Sequence, residues 1–323
     1  MITLDDVKAA RDRIAGRVKR TQLVSSEAVS ARLGCQVYLK LEMFQKTGAF
    51  KVRGGIMYLD RLSGADPKIP GVITATRGNH GQSIAFAAAR NGVAATVYVP
   101  RGNSSDQNSS IAAFGAKVVE FGRDFDEAKH EAFRVAAAEG LHFVPSFHPD
   151  LVAGVATYAL ELFQSVGRLD AVYVGVGMGS GIAGLIAVRD LLGLSTEIIG
   201  VNAAKAPATA RSFAAGRPIF TPTAQTFADG VATREPHADA IATICRGAAR
   251  MVEVTENAIA EAMRIYFDET HQVAEGAGAA PLAALLQERE KMARKNVAVV
   301  LSGGNIERAR FLQVLNGVTP SAA

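Results

Sequence analysis

Short apolar runs rich in β-branched residues alternate with stretches of helical spacing along most of the chain. Val72-Ile73-Thr74-Ala75 precedes an alanine-rich helical pattern from Gln82 to Asn91, and Ala95-Thr96-Val97-Tyr98-Val99 precedes another from Asp106 to Phe114. Lys117-Val118-Val119-Glu120-Phe121 precedes a third, from Phe125 to Glu139. After a break at His148-Pro149-Asp150 the pattern predicts helix Leu151 to Val166, strand Ala171 to Val176, helix Ile182 to Leu191 and strand Glu197 to Val201. Val37 to Leu41 and Val297 to Leu301 read as further strands near the two ends. Strands separated by helices predict parallel sheets in an α/β architecture. Thr3 with Asp6 predicts a helix N-cap with an acidic first turn.

Composition narrows this picture only a little. With 323 residues the chain can bury a large core, and its length favours two domains. The formal charge of +4 comes from interspersed Lys, Arg, Asp and Glu, with no basic run that would engage nucleic acid. Cys35 and Cys245 lie far apart and show no CxxC spacing, so they read as reduced thiols without a disulfide or zinc framework. The first residues lack a basic-then-apolar leader, and no apolar stretch has the purity of a membrane span. The expectation is a cytoplasmic protein without membrane or nucleic-acid partners.

Candidate chemistry begins at Gly48-Ala49-Phe50-Lys51-Val52-Arg53-Gly54, which sets a lysine between an aromatic ring and a glycine turn. A lysine walled by apolar surface loses hydration of its charged form, and its amine becomes available for a Schiff base at neutral pH. A second segment, Gly175-Val176-Gly177-Met178-Gly179-Ser180-Gly181-Ile182-Ala183-Gly184, follows an apolar strand and opens a helix. Glycines there let backbone N–H groups approach an anion, and the helix N-terminus adds favourable potential. Gly179-x-Gly181-x-x-Gly184 also satisfies the dinucleotide fingerprint, which would suit an NAD-dependent oxidoreductase. The acidic residue that would hold the ribose is missing, because the next strand runs into Asn202-Ala203-Ala204. No Gly-Lys-Ser/Thr closes a Walker loop. Thr76-Arg77-Gly78-Asn79-His80-Gly81-Gln82 offers donors for a carboxylate at another strand-to-helix turn, and Ser302 sets a neutral hydroxyl at the end of the last strand.

Together, Thr47-Gly48-Ala49-Phe50-Lys51-Val52-Arg53-Gly54, Gly78-Asn79-His80-Gly81-Gln82, the Gly/Ser loop and Leu301-Ser302-Gly303-Gly304-Asn305 occur in an order that resembles the serine/threonine dehydratase and serine racemase family of fold-type II pyridoxal-phosphate (PLP) enzymes. The resemblance covers nearly the whole chain. It implies a tryptophan synthase β-like fold, with a large PLP-binding domain from 1–70 and 149–323 and a small substrate-side domain from 71–148. It further implies that Lys51 carries PLP as a Schiff base beside Phe50, and that Asn79 meets the ring 3-hydroxyl. Gly177, Met178, Gly179, Ser180 and Gly181 would cradle the phosphate, and Ser302 would meet the pyridine nitrogen. Gly230 and Glu275 would border the cofactor, while Thr76, Arg77, Gly78, Asn79, His80 and Gln82 would line the substrate pocket. The implied activity is elimination of water from a β-hydroxy amino acid, foremost L-threonine or L-serine, to give a 2-oxo acid and ammonia. Hydroxyaspartate, phenylserine and a hydroxyectoine-derived amino acid are alternative substrates, and a homodimer is implied.

Three departures shape the expectation. Arg77 stands where the racemases of the family carry a serine base, and a protonated guanidinium is a poor base, so racemisation should be minor. Arg77 reads either as a surface or interdomain ion-pair residue or as a partner for a second anionic group on the substrate. The stretch Asn202-Ala203-Ala204-Lys205-Ala206-Pro207-Ala208 lacks the carboxylates of the racemases' divalent-cation site, so no metal is expected. The chain ends shortly after Ser302-Gly303-Gly304, where biosynthetic threonine dehydratases append a regulatory domain, so isoleucine feedback is not expected. A non-catalytic ligand-binding descendant is the remaining reading, and it would have no need of Lys51.

Overall fold

The apolar runs pair side by side, as parallel strands require. A computed structural model describes residues 2–322, with strands β1 Leu23–Ser25, β2 Gln36–Leu41, β3 Val72–Ala75, β4 Ala95–Val99, β5 Lys117–Glu120, β6 His142–Phe143, β7 Ala171–Gly175, β8 Glu197–Ala203, β9 Arg250–Val254 and β10 Asn296–Leu301. Six of them form one sheet in the order β1-β2-β10-β7-β8-β9, and four form a second in the order β5-β4-β3-β6. Every pairing is parallel except β1 with β2. Central strands buried on both faces explain the unbroken apolar runs: Val297 to Leu301 of β10 are fully buried. None of the described helices is long and apolar enough to cross a membrane.

Helices begin slightly earlier than the apolar periodicity predicts. The helix expected from Gln82 spans Asn79–Arg90, and the one expected from Ile182 spans Ser180–Leu191. Each follows a glycine cap, so polar residues that pattern alone leaves in a loop occupy the first helical turn. The break at His148 marks a helix start: His148 caps Pro149–Ser165, and proline at the first position loses no hydrogen bond. At the N-terminus, Thr3 and Asp6 exchange hydrogen bonds in a capping box, as expected. Strands β1, β6 and β9 are additional to the predicted set; two of them are only two or three residues long, too short for a periodicity to show.

Between the sheets, the helix Lys51–Ala65 crosses Pro149–Ser165 with backbones touching. A Cβ at Gly54 would lie 2.7 Å from the Leu151 carbonyl oxygen, and one at Gly154 would lie 2.3 Å from that of Arg53. Beside this crossing, fully buried Arg53 donates from Nε and Nη2 to Glu42 at 2.8 and 2.9 Å, and from Nη1 and Nη2 to Glu161 at 2.8 and 2.9 Å. Lys40 joins at 2.6 Å from Glu161, so two cations and two carboxylates balance within one buried cluster. Removing one member strands the others without compensation. Arg53→Met should therefore cost about 3–5 kcal/mol in urea unfolding. A loss below about 1 kcal/mol would show that the cluster does not hold this crossing together.

Candidate active site

Strand order brings the chemistry to one edge. In the larger sheet β2, β10 and β7 are neighbours, and their C-terminal ends lead toward Lys51, into Ser302 and into the Gly177–Gly181 loop. The first two segments are laced together: Phe50 N–H donates to the Ser302 carbonyl at 3.0 Å, Gly304 N–H donates to the Gly48 carbonyl at 3.0 Å, and Ala49 bridges Gly303. Gly48 adopts φ +68°, a left-handed turn that favours glycine. The β3 end of the smaller sheet closes the other side. Between them lies a cleft of about 1200 Å³, part of it open to solvent, into which residues of both sheets project.

Lys51 opens its helix with its amine in this cleft. Nζ lies 3.1 Å from Ser180 Oγ and 5.3 Å from the Phe50 ring centroid, and no carboxylate among the described residues touches it. Burial without a compensating anion pushes its pKa down to about 8. Phe50 is held edge-on by Tyr158 at 5.9 Å, whose hydroxyl donates to the Gly181 carbonyl at 3.0 Å. This contact fixes the wall beside the amine and the glycine loop after β7 at once.

The loop after β7 presents a row of backbone donors. No protein acceptor among the described residues meets the backbone N–H groups of Gly177, Met178, Gly179, Ser180 or Gly181. Gly179 adopts φ +96°, and a Cβ on Gly177 would lie 2.3 Å from the Gly230 carbonyl oxygen. Asn202, which stands where a dinucleotide enzyme needs an acid, instead donates to the Val176 carbonyl at 2.7 Å and pins the loop's first residue. Ser302 is buried on the cleft wall, and its hydroxyl has no hydrogen-bond partner among the described residues. Five free N–H groups, an uncharged hydroxyl and a desolvated amine are the donor set that PLP requires. The residues present fit that cofactor.

Across the cleft, the turn after β3 leaves the N–H groups of Asn79, His80 and Gly81 free at a helix N-terminus, a natural carboxylate seat. Asn79 Nδ2 donates to Glu275 Oε1 at 2.7 Å, and burial together with nearby Asp229 pushes the Glu275 carboxyl up to about 8. His80 Nε2 pairs with Thr74 Oγ1 at 3.1 Å; burial first, and then the neighbouring Lys51 charge, drive its pKa down to about 3, so the ring is neutral. Arg77 donates from Nε to Asp229 at 2.7 Å, the ion pair of the first expectation, and it also lines the cleft.

Thr76, Arg77, Gly78, Asn79 and His80 line the cleft with Phe50, Lys51, the Gly177–Gly181 loop, Gly230, Glu275 and Ser302. Gln82 does not. It is buried behind the wall and donates to Gln107 Oε1 at 2.6 Å, so it supports Gln107, which does line the cleft. The resemblance places Gln82 on the substrate pocket, but its side chain turns toward the helix that carries Gln107. Sequence reading assigned no role to Gln107, Asp229, Asn305 or Arg310, all of which stand on the wall. Asn305 and Asp229 adjoin recognisable motifs; Gln107 and Arg310 carry no local signal.

A family model described as pyridoxal-phosphate dependent enzyme matches residues 14–303. The chain belongs to this family. Over 98% of its length it is 35% identical to the L-threonine ammonia-lyase of Thermotoga maritima, covering 79% of that protein. It is 31% identical to the L-threo-3-hydroxyaspartate ammonia-lyase of Saccharomyces cerevisiae, covering 98% of this chain and 97% of that one. Among solved structures, processed threonine deaminase isoform 2 of Solanum lycopersicum superposes with TM-score 0.89 at 30% identity, covering 97% of this chain and 92% of the other. Maize serine racemase superposes with TM-score 0.89 at 26% identity, covering 97% of each.

The desolvated amine sets a pH profile for cofactor uptake. A lysine amine attacks an aldehyde only when unprotonated, so the lowered pKa predicts that PLP capture by apo-protein rises with pH and levels off just above about 8. Stopped-flow absorbance measures this rate. A rise continuing to the ordinary lysine range near ~10.4 would contradict the burial argument.

Proposed function

We propose that this chain is a PLP-dependent ammonia-lyase that removes water from a β-hydroxy amino acid, with L-threonine and L-serine as substrates. The observation that carries the reading is the convergence on one cleft of the Lys51 amine, which has only the Ser180 hydroxyl beside it, with groups that lack a protein partner among the described residues: the Ser302 hydroxyl, the N–H groups of Gly177 to Gly181, and those of Asn79 to Gly81. The ammonia-lyase relatives of Thermotoga maritima and Saccharomyces cerevisiae support it.

Lys51 would hold PLP, the Gly177–Gly181 loop its phosphate, Asn79 its ring hydroxyl and Ser302 its ring nitrogen. When bound, the cofactor withdraws electrons from the substrate α-carbon and acidifies the α-proton. The protein supplies the rest. Free N–H groups at the Asn79 helix seat the substrate carboxylate and orient the Cα–H bond. Once the substrate's own amine takes its place on the cofactor, the released Lys51 amine, desolvated and short of a carboxylate partner, would be placed to remove that proton. Ser302 provides a neutral partner, where a carboxylate would keep the ring nitrogen charged. Neutral His80 adds no charge to the carboxylate seat. The β-hydroxyl departs as water, and one water is consumed when the product hydrolyses to a 2-oxo acid and ammonia. A homodimer accompanies this reading.

A second substrate is favoured by Arg77. Its guanidinium uses only Nε on Asp229, whose other oxygen faces Arg310 at 3.4 Å, and neither Nη group meets a protein acceptor among the described residues. Two arginines sharing one aspartate at a cleft wall suit a β-carboxylate, as on 3-hydroxyaspartate.

A panel of β-hydroxy amino acids, scored for 2-oxo acid and ammonia release by PLP-loaded protein, tests both readings. Release from L-threonine or L-serine is expected, with no accumulation of the D-enantiomer of recovered substrate. Turnover of no panel member would overturn the function. For the second substrate, Arg77→Ser should lower kcat/KM for L-threo-3-hydroxyaspartate on the order of 10–100-fold and leave threonine nearly unchanged. Equal effects on both would remove Arg77 from substrate selection.

A further inference from the structure

Asn305 closes the Ser302-Gly303-Gly304-Asn305 segment and has no part in the chemistry above. Its side chain lies over Gly48: a Cβ there would sit 2.2 Å from Asn305 Oδ1, so only glycine admits it. From this seat Nδ2 donates twice, to the Thr47 carbonyl at 2.8 Å and to Asn79 Oδ1 at 2.7 Å. A primary amide has two N–H groups, and both are committed. Asn79 therefore turns its carbonyl to Asn305 and its amine to the opposite side. There one N–H meets Glu275 Oε1 at 2.7 Å, which leaves the second for an acceptor in the cleft. The Asn305 backbone carbonyl is itself held by Gln107 Nε2 at 2.8 Å.

An asparagine amide is nearly symmetric in shape, and only its neighbours decide which end faces where. Glu275 does not decide it, because a buried carboxyl that holds a proton near neutrality can either accept or donate. Asn305 does, since both of its N–H groups point at oxygen acceptors. We propose that Asn305 is a positioning residue that sets the polarity of the Asn79 amide, so that Asn79 offers the ring oxygen of PLP a donor and not a carbonyl. This rests on the PLP reading of the cleft.

The test reads the pH midpoint of the bound cofactor's visible absorption in Asn305→Asp and Asn305→Ala, each alone and combined with Asn79→Ala. Donation to a ring oxygen favours its ionised form, so losing the donor moves the midpoint upward. Aspartate keeps the shape of asparagine but offers only acceptors, which draws the Asn79 amine toward itself and swings the carbonyl into the cleft. N305D should raise the midpoint by roughly one unit or more, N305A by less, and neither should add to the shift of Asn79→Ala. A packing role predicts the opposite order, with N305A worse than N305D. A bare field effect of the new charge persists when Asn79 is absent. Either result overturns the proposal. Should N305D fail to fold, N305A decides alone: its shift must appear with Asn79 present and vanish without it. Wild-type protein that takes up no PLP overturns the cofactor reading itself, whereas bound PLP with unmoved midpoints overturns only the role of Asn305.

Discussion

The grip of Arg53 on Glu42 and Glu161 holds the site in place. Arg53 follows Lys51 by two residues, and its guanidinium ties the Lys51 helix to the segment after β2 and to the helix Pro149–Ser165. Burying four charged groups is costly, and the cost is offset only because each ion finds an opposite partner within hydrogen-bond reach. The contrast with Lys51 explains the chemistry. Burial lowers the pKa of both Lys40 and Lys51, but carboxylates beside Lys40 oppose the shift, whereas Lys51 has only the Ser180 hydroxyl. One buried cation serves as structure; the other is left reactive.

Parallel topology turns that local arrangement into a site. Because β10 lies between β2 and β7, the Ser302 segment falls between the Lys51 turn and the phosphate loop. Backbone hydrogen bonds from Phe50 and Gly304 then lock two of the three segments together. Ligands of open parallel sheets settle outside the carboxyl ends of the strands for this reason: loops diverge there, and helix N-termini point inward. The smaller sheet contributes a second helix N-terminus at Asn79, so two such termini face one cleft.

Much of this was legible along the chain. Continuous apolar runs revealed the central parallel strands, and the glycines after β7 revealed the strand-to-helix turn whose backbone N–H groups lack protein acceptors among the described residues, because both signals are local. Helix starts at Asn79 and Ser180 fell earlier than periodicity suggested, since glycine caps and polar first turns carry no apolar spacing. β6 and β1 escaped notice because two or three residues cannot show alternation. Distant partners were silent: Asn305 reaches Asn79 across 226 positions, and Arg77, legible as an ion-pair candidate, reaches an Asp229 that lies 152 positions away. The family resemblance implies a wall position for Gln82, yet its amide serves Gln107.

One chemical trap addresses the central claim directly. After loading with PLP, borohydride reduction followed by peptide mapping should place a stable phosphopyridoxyl group on the amine of residue 51, with other lysines, buried Lys40 included, unlabelled. Label on a different lysine, or none on protein that holds the cofactor, would contradict the assignment of the desolvated amine as the anchoring group.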